Sequence, residues 1–551
     1  MPPTPSTPPT RYATGGDLLV AVLRELGIDT VFGIVSVHNL PLVEAVDREL
    51  RFVPVRHEAT AVNAADAYGR ARGSLGCALT STGTGAGNAA GSLIEALSAG
   101  TSVLHVTGQV ETEFLGSGRG FIHETKDQLG MLGAVSKYAA TVHSTDMAGR
   151  ILREAARAAL SDPGGPASVE WPVDLQYAAQ TDTPDTAAPA PVPPQPARSE
   201  LAAAGALLAA ARRPLIWAGG GATRARAELA ELLHATGAGL LTSNSGRGSV
   251  PEDHPQVVGN FATTPGARAL LAHADLLLTI GTHFRSNETA DYGLALPGAH
   301  IQVDIDADAL GRVYPAPHAL HGHAPDVLAA LLPHARRADE SWTRRVADVR
   351  DDVRATLHDN IGPQAAICDA IRAALPREAV VARDVTIPSS SWGNRLLDMY
   401  DPRDNVFPRG GGIGQGLGMG IGAALARPDA PTVVLAGDGG LAVHLGELLT
   451  LAQERPRLTL IVFNDGGYGV LRNMQDRHSE RRSGVDLTTP DFELLAQACG
   501  LPYARIAAEE DARPVISHAV ASDGPTLVEV DLARLGPMKN PFTPPVKIPG
   551  Q

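Results

Sequence analysis

The stretch "PTVVLAGDGGLAVHLGELLTLAQERPRLTLIVFNDGG", residues 431–467, gives the clearest indication of the fold class. It contains two apolar runs that each end in glycine and aspartate, separated by a segment rich in Ala and Leu. The apolar runs are continuous rather than alternating, which is typical of strands buried on both faces of a parallel sheet. A helical connection of this length predicts a right-handed crossover between parallel strands. Residues 431–467 therefore predict a strand–helix–strand unit.

The same pattern recurs earlier in the chain. "GCALTSTGTGAG" (76–87) and "PLIWAGGGA" (214–222) are also apolar runs that end in glycine-rich turns and lead into Ala/Leu-rich segments. The first and third blocks match in element length and glycine placement. The sequence predicts an α/β protein with three doubly wound parallel-sheet domains, the first and third of the same architecture.

Composition shifts indicate the domain boundaries. Residues 181–198 are rich in Pro and Ala and suit a stiff spacer, and residues 336–354 form a charged, helix-like segment. We expect a disordered tail at 1–10, domains at 11–180, 199–340 and 355–535, a linker at 181–198, and a C-terminal tail at 536–551.

Bulk properties exclude several classes of function. The 551 residues are 44% hydrophobic and 19% charged, with a net charge of −14 and no long basic run, which argues against binding to nucleic acid or an anionic membrane. Cys77, Cys368 and Cys499 are far apart, which argues against a disulfide framework or a zinc site. No signal peptide and no apolar run of about 18 residues is present, so we expect a cytoplasmic protein that does not span a membrane.

Two aspartates end the predicted strands of the opening stretch. Because carboxyl ends of parallel strands share one edge of a sheet, Asp438 and Asp465 are expected to lie at the same ligand-binding edge. Gly439 and Gly440 open the following helix, whose N-terminus favours an anion. A lone GDG is more often a turn, but the pairing across one crossover favours a diphosphate neutralised by Mg²⁺.

Two common nucleotide motifs are absent from the sequence. It has no GxxxxGK[ST], and the run "RGGGIGQGLGMGIGAALA" (409–426) never satisfies GxGxxG, although it has glycine at almost every second position. The glycine-rich segment after residue 218 has Arg224 where a third glycine would fall, which favours a tight strand–helix turn.

The spacing of the aspartate motifs resembles a known family. Gly437-Asp438-Gly439, followed 27 residues after the aspartate by the second position of Asn464-Asp465, is similar to the diphosphate-binding motif of thiamine-diphosphate-dependent enzymes. "FGIVSVHNLP" (32–41), "RHEATAVNAADAYGRARG" (56–73) and "HIQVDIDADALGRVY" (300–314) resemble acetolactate synthase, benzaldehyde lyase and benzoylformate decarboxylase. The similarity covers nearly the whole chain and is specific for the cofactor, but not for the substrate.

The resemblance implies a set of cofactor residues. It makes 11–180 a pyrimidine-binding domain and 355–535 a diphosphate-binding domain. Asp438, the Asp465 side chain and the main-chain oxygen of Gly467 would bind Mg²⁺, with Asn464 as the alternative to Asp465 because most relatives have Asn at position 465. Ile413 would support the cofactor in its bent, V-shaped conformation. The full set implied in cofactor binding is Glu58, Gly411, Ile413, Gly437, Asp438, Gly439, Gly440, Asp465, Gly467, Tyr468 and Gly469.

Three first-domain residues are implied in catalysis. In the family, the position of Glu58 hydrogen-bonds the aminopyrimidine and promotes loss of the C2 proton; without the resemblance, Glu58 is an ordinary acidic residue in a helix's first turn. His38 and His123 are expected to relay protons near the reacting carbon, with a purely structural hydrogen bond as the alternative.

Substrate selection is expected from the segment after the second aspartate. Val470, Leu471 and Met474 match positions that line the acceptor pocket, and their alternative role is an apolar helix face. Acetolactate synthases typically have Trp where Met474 stands, which weakens the case for their usual substrates.

The resemblance implies a carboligase that decarboxylates a 2-oxo acid and transfers the acyl-anion equivalent to a second carbonyl. The alternatives are a decarboxylase or acyloin lyase that stops earlier, and a non-catalytic nucleotide-binding relative, against which the presence of Glu58 argues. FAD is possible but not favoured, since residues 257–266 lack the Gly-Met-His-Gly of acetolactate synthases. A dimer or tetramer is expected, with active sites at the subunit boundary and small 2-oxo acids or aldehydes as substrates.

Overall fold

The computed structural model describes residues 9–183 and 193–544. Three six-stranded parallel sheets follow one another along the chain, and we call the parts that hold them the first, second and third domains. Helices cover the sheets, as the continuous apolar strands predict. The α/β class and the three parallel-sheet domains are therefore confirmed.

The first domain contains a sheet of order β3-β2-β4-β5-β7-β6, and a short antiparallel pair, β1 and β8, lies apart from it. Its strands and helices are β1 (Thr10–Tyr12), α1 (Gly15–Glu25), β2 (Thr30–Gly33), α2 (Leu40–Glu49), β3 (Arg51–Pro54), α3 (Glu58–Arg72), β4 (Gly76–Thr80), α4 (Thr84–Ala99), β5 (Val103–Gln109), α5 (Gln128–Val135), β6 (Tyr138–Thr141), α6 (Ala148–Leu160), β7 (Pro166–Pro172), α7 (Val173–Tyr177) and β8 (Gln180–Asp182).

The second domain has the order β11-β10-β9-β12-β13-β14. Its strands are all parallel, and the order in which they are added to the sheet reverses between β9 and β12. Its elements are α8 (Arg198–Ala210), β9 (Pro214–Ala218), α9 (Arg226–Thr236), β10 (Gly239–Thr242), β11 (Val257–Gly259), α10 (Pro265–His273), β12 (Leu276–Ile280), β13 (His300–Asp304), β14 (His318–His321), α11 (Ala324–Leu331) and α12 (Glu340–Asn360).

The third domain has the order β16-β15-β17-β18-β20-β19. Its elements are α13 (Gln364–Ala374), β15 (Val380–Arg383), β16 (Asn405–Val406), α14 (Gly416–Ala426), β17 (Thr432–Gly437), α15 (Asp438–Leu441), α16 (Glu447–Glu454), β18 (Leu458–Asn464), α17 (Gly469–His478), α18 (Phe492–Ala498), β19 (Tyr503–Ile506), α19 (Glu509–Ala521), β20 (Thr526–Asp531) and α20 (Leu532–Leu535).

The main sheets of the first and third domains share one topology. Numbered within its own sheet, each has the strand order 2-1-3-4-6-5, whereas the second domain has 3-2-1-4-5-6. This confirms the prediction that one architecture is used twice.

The predicted linker, charged segment and tails can be compared with the described elements. Half of the predicted linker, residues 184–192, and most of the N-terminal tail lie outside the described residues, while Thr181 belongs to β8 and Arg198 begins α8. The charged segment at 336–354 overlaps the long helix α12. Of the predicted C-terminal tail, residues 536–544 are described, and several of them border a cavity of the third domain.

The first and third domains pack through α3 and α14. These helices approach so closely that a Cβ on Gly422 would lie 2.0 Å from the Ala64 carbonyl oxygen. Glu447, on the third domain, accepts the Arg56 backbone N–H at 3.0 Å. Small residues on α14 thus allow two helices from different domains to share one apolar core.

No helix in the described ranges is both long enough and apolar enough to cross a membrane. The three cysteines are free thiols, of which Cys77 and Cys368 are buried.

Candidate functional site

The two aspartates of the opening stretch meet at one edge of the third sheet. β17 and β18 are adjacent and parallel, with Gly437 paired to Phe463, so Asp438 and Asp465 follow the ends of neighbouring strands. The Asp465 backbone N–H donates to Oδ1 of Asp438 at 3.4 Å. The crossover argument from sequence therefore places both residues correctly.

Each carboxylate has a buried oxygen that accepts no hydrogen bond, although that of Asp465 forms an ion pair with Nη1 of Arg472 at 3.7 Å. Oδ2 of Asp438 and Oδ1 of Asp465 are buried and accept no hydrogen bond from protein. Burial raises the pKa of Asp438. Burial first, and then the charge of Asp438, raises the pKa of Asp465 to about 6. Two such oxygens at one edge fit a divalent cation, which would satisfy both.

Asn464 does not share this environment. Its Nδ2 donates to Oε1 of Glu529 at 2.8 Å, on the neighbouring strand β20. Among the described residues, no three His, Cys, Asp or Glu side chains are grouped so that they could hold a metal ion. A cation at this edge would therefore rely on two carboxylates and on main-chain or ligand oxygens.

Glycines around the aspartates leave no room for side chains. A Cβ on Gly439 would lie 2.9 Å from the Gly467 carbonyl oxygen, and one on Gly469 would lie 2.0 Å from Oδ2 of Asp465. These close approaches leave main-chain groups accessible beside the two carboxylates, which suits a diphosphate.

A cavity of about 780 Å³ opens beside this edge. Eleven of the predicted residues line it: Ile413, Gly437, Asp438, Gly439, Gly440, Asp465, Gly467, Tyr468, Gly469, Val470 and Leu471. Gly411 and Met474 are not among its lining residues, although Met474 lies on the same helix, α17, as Val470. A volume of this size is within the normal range for a cofactor or substrate site.

The cavity also has walls that sequence reasoning missed. Part of the wall comes from Gln364 and from the turn after β15, through Val385, Thr386, Ile387 and Pro388. The C-terminal segment adds Pro537, Met538, Pro541 and Phe542. Asn473 Nδ2 donates to the Phe542 carbonyl oxygen at 2.8 Å and fastens the C-terminal segment beside α17. No motif in residues 536–544 indicates this contact, which only packing creates.

The three predicted catalytic residues lie on the first domain. Glu58 begins α3 and is half-buried, and its Oε2 accepts the Asn88 amide at 3.0 Å. The preceding residue, His57, caps the helix by accepting the Ala59 N–H at 3.1 Å. A Cβ on Gly85 would lie 3.0 Å from Oε1 of Glu58, so glycine is needed where β4 turns into α4.

His38 and His123 form a pair. Their Nδ1 atoms are 3.3 Å apart, so one ring must donate and the other must accept. His38 is buried, and burial followed by the charge of His123 lowers its pKa. His123 has a left-handed backbone with φ of 67°, which is uncommon for a residue with a side chain.

The first-domain residues and the cavity remain separate within one chain. No residue of the first domain lines the 780 Å³ cavity in the part of the chain that the structure describes. Each chain thus carries a carboxylate and a histidine pair on one domain and a cavity with two aspartates on another.

The second domain has its own cavity of about 490 Å³, at the carboxyl ends of its strands and bordered by all three domains. The segment at 280–292 contributes Gly281, His283, Arg285 and Glu288 to its lining. Burial lowers the pKa of Arg409, another lining residue, to about 9.

We expect Asp465→Asn to raise the thermal unfolding midpoint of the cofactor-free protein at pH 8 and to leave it almost unchanged near pH 4. The folded-state pKa of Asp465 is raised to about 6, so its contribution to stability is present at low pH and is lost as the pH rises through 6. Thermal unfolding at both pH values measures the effect. Asp486→Asn is the matched control, because Asp486 also contacts Arg472 but is exposed. An equal shift at both pH values would contradict the expectation.

Comparisons with known proteins agree with this arrangement. Family models described as thiamine pyrophosphate enzyme match in three parts: the N-terminal TPP binding domain at residues 13–131, the central domain at 201–331, and the C-terminal TPP binding domain at 388–530.

Similar curated proteins cover nearly the whole chain. A probable 2-ketoarginine decarboxylase of Pseudomonas aeruginosa is 34% identical, over 95% of this chain and 94% of the relative. The large subunit of acetolactate synthase isozyme 2 of Escherichia coli is 30% identical, over 95% and 96%. An acetolactate synthase of Mycobacterium bovis is 30% identical, over 94% and 87%.

Proposed function

Because the chain belongs to the thiamine pyrophosphate enzyme family, we propose that it uses thiamine diphosphate and Mg²⁺ to decarboxylate a 2-oxo acid and to transfer the remaining acyl group to a second carbonyl compound. Membership makes it a thiamine-diphosphate-dependent enzyme of the acetolactate synthase and decarboxylase type. Decarboxylation followed by transfer of the acyl group is the part that we propose.

The observation that carries the proposal is the pair of buried carboxylate oxygens on Asp438 and Asp465 that accept no hydrogen bond, beside a glycine-lined cavity. The two carboxylates and the main-chain oxygen of Gly467 would hold Mg²⁺, with phosphate oxygens completing its shell. Main-chain groups of Tyr468 and Gly469 would support the diphosphate. When bound, thiamine diphosphate supplies a carbon nucleophile that attacks the ketone and accepts the electron pair released with CO₂.

The chain's own side chains would control protons and shape. Glu58 would bind the aminopyrimidine and exchange a proton with it, and Ile413 would support the cofactor from the cavity wall. Val470 and Leu471 would contact the substrate beside the C-terminal segment, which contributes Phe542. Water is partly excluded there because these side chains are apolar.

The separation of Glu58 from the cavity supports self-association. The cavity lacks an acid–base group from the first domain of its own chain, so a second chain would have to supply Glu58 and the histidine pair. Exposed apolar side chains on both domains, Val37 and Ile122 on the first and Val443 and Leu471 on the third, suit such an interface. We therefore propose a dimer or a larger assembly.

Simple decarboxylation is the second candidate, and the histidine pair favours it. His38 and His123 hydrogen-bond through their Nδ1 atoms, so one imidazole can hold a proton and pass it on. Delivery of that proton to the carbon that has lost CO₂ would release an aldehyde instead of a ligated product. The relative named as a probable 2-ketoarginine decarboxylase supports including a guanidino 2-oxo acid among the tested donors.

A donor and acceptor screen tests the proposed function. Purified protein with thiamine diphosphate and Mg²⁺ is incubated with pyruvate, 2-oxobutyrate, benzoylformate and 2-ketoarginine, with and without a second carbonyl compound. We expect CO₂ release with at least one donor and a ligated product when an acceptor is present. Aldehyde alone would favour the second candidate, and no CO₂ from any donor would contradict both. An absorbance scan of the same protein tests the prediction that FAD is not bound.

A further inference from the structure

The glycine run before α14 has a spacing that the cofactor motifs do not explain. Glycine occupies positions 410, 412, 414 and 416, and we call residues 409–416 the glycine loop. A Cβ on Gly410 would lie 2.7 Å from Oε2 of Glu95, and one on Gly412 would lie 2.8 Å from Oε1 of Glu95. A Cβ on Gly416 would lie 2.7 Å from Cβ of Asp384. Gly410, Gly412 and Gly416 thus make room for two carboxylic side chains.

Those carboxylates accept hydrogen bonds from alternate amides of the glycine loop. The Gly410 and Gly412 N–H groups donate to the two oxygens of Glu95, the latter at 2.6 Å. The Gly414 and Gly416 N–H groups donate to Asp384 at distances of 3.0 to 3.2 Å. Hydrogen bonds from backbone amides to an ionised carboxylate are among the stronger ones in proteins.

Glu95 belongs to a different domain from the loop that it holds. It lies on α4 of the first domain and is 5% exposed, whereas Asp384 and the loop belong to the third domain. Ile413 stands between the two sets of amides and lines the 780 Å³ cavity while remaining 40% exposed. The position of Ile413 therefore depends on hydrogen bonds to both sides of it.

We infer that Glu95 is a positioning residue for cofactor binding: its buried carboxylate fixes the amides of residues 410 and 412 so that Ile413 is presented to the cavity. This inference rests on the proposed function, in which Ile413 supports thiamine diphosphate. Glu95 acts within its own chain, whereas Glu58 of the same domain is proposed to serve a second chain.

Other contacts also join the first and third domains. The proposed effect of Glu95 on the position of Ile413 can therefore be distinguished from a general effect on domain packing. Arg51 and Glu454 form an ion pair of 2.8 Å between the first and third domains. Arg409, at the start of the loop, donates to the Ala99 carbonyl oxygen at 3.0 Å. The bonds to Glu95 act on Gly410 and Gly412, which lie three residues and one residue before Ile413, where a small displacement alters the cavity wall.

The test compares Glu95→Gln with Glu454→Gln. Glutamine keeps the size of Glu95 but places an NH₂ group against one of the loop amides, so one hydrogen bond is lost. We expect the dissociation constant for thiamine diphosphate with Mg²⁺, measured by fluorescence titration, to rise about tenfold. Amide hydrogen exchange at residues 410–413 should quicken, kcat should fall and the KM for the 2-oxo acid should change little. Glu454→Gln should change none of these, although it removes an ion pair between the same two domains.

A double-mutant cycle provides a second measurement. Gly410→Ala in the natural chain puts a Cβ against Glu95, so it should weaken cofactor binding, and Glu95→Ala should relieve much of that cost. The inference would be overturned if the effects of Gly410→Ala and Glu95→Ala were additive. It would also be overturned if Glu95→Gln bound the cofactor and exchanged its loop amides as the natural chain does. Failure of the natural chain itself to bind the cofactor would instead contradict the proposed function. If Glu95→Gln does not fold, Glu95→Asp replaces it with the same expected results, because its carboxylate is one methylene short of the loop.

Discussion

Glu58→Gln is expected to lower kcat by about 10²- to 10⁴-fold, the range typical of a lost general acid–base group. Glu58 is held at the first turn of α3 by the Asn88 amide, so a glutamine of the same shape can occupy its place. An amide does not exchange a proton with the aminopyrimidine as a carboxyl group does. The dissociation constant for the cofactor should therefore change much less than kcat.

Two measurements isolate the proton-transfer role of Glu58. The first is kcat with the best donor from the screen, and the second is the rate at which the C2 proton of the bound cofactor exchanges with D₂O. Glu44→Gln is the matched control, because Glu44 is an exposed carboxylate on α2 of the same domain. Turnover of Glu58→Gln within twofold of the natural chain would show that Glu58 does not perform this step.

Asp438→Asn is expected to weaken Mg²⁺-dependent cofactor binding by about 100-fold. Asp438 is 2% exposed and has a buried oxygen without a protein partner, so a bound cation is the group that would compensate its charge. Burial raises the pKa of Asp438, so replacing it by a neutral amide should not destabilise the cofactor-free protein. Titration with thiamine diphosphate at several Mg²⁺ concentrations measures the loss, and Asp429→Asn, an exposed change just before β17, is the control.

Mixing the two inactive variants tests whether chains share active sites. If Glu58 and Asp438 of different chains form each site, a mixed dimer of Glu58→Gln and Asp438→Asn chains contains one intact site and one doubly altered site. Random association should then restore about a quarter of the natural activity, since half of the dimers are mixed and half of their sites are intact. Activity no higher than the average of the separate variants would indicate that each chain builds its site alone.

Part of the site was predictable because it depends on local pattern and on one topological rule. The continuous apolar runs of β17 and β18 predict parallel strands, and a single crossover places Asp438 and Asp465 at one edge. Matching glycine and element spacing also predicted that the first and third domains share one architecture, and the structure shows the same strand order in their main sheets.

Other parts of the site had no signal in the sequence. Met474 follows Val470 by one helical turn, yet of the two only Val470 lines the cavity, whose wall includes Met538 and Phe542 of the C-terminal segment. The sequence offers both Asn464 and Asp465 as the side chain that binds the cation. In the structure Asp465 lines the cavity, whereas Asn464 donates to Glu529 on the neighbouring strand.

The fold class, the strand–helix–strand units and the two aspartates at one edge could be predicted from the sequence, since they follow from short-range periodicity and from the handedness of crossovers. Long-range packing is what brings Glu95 and Asp384 to the loop around Ile413, and what keeps Glu58 and the histidine pair apart from the cavity of their own chain. Glu95 and Gly412 are 317 residues apart in sequence. Their contact exists because the buried carboxylate of Glu95 must find hydrogen-bond donors once the first and third domains have packed, a requirement that no local pattern records.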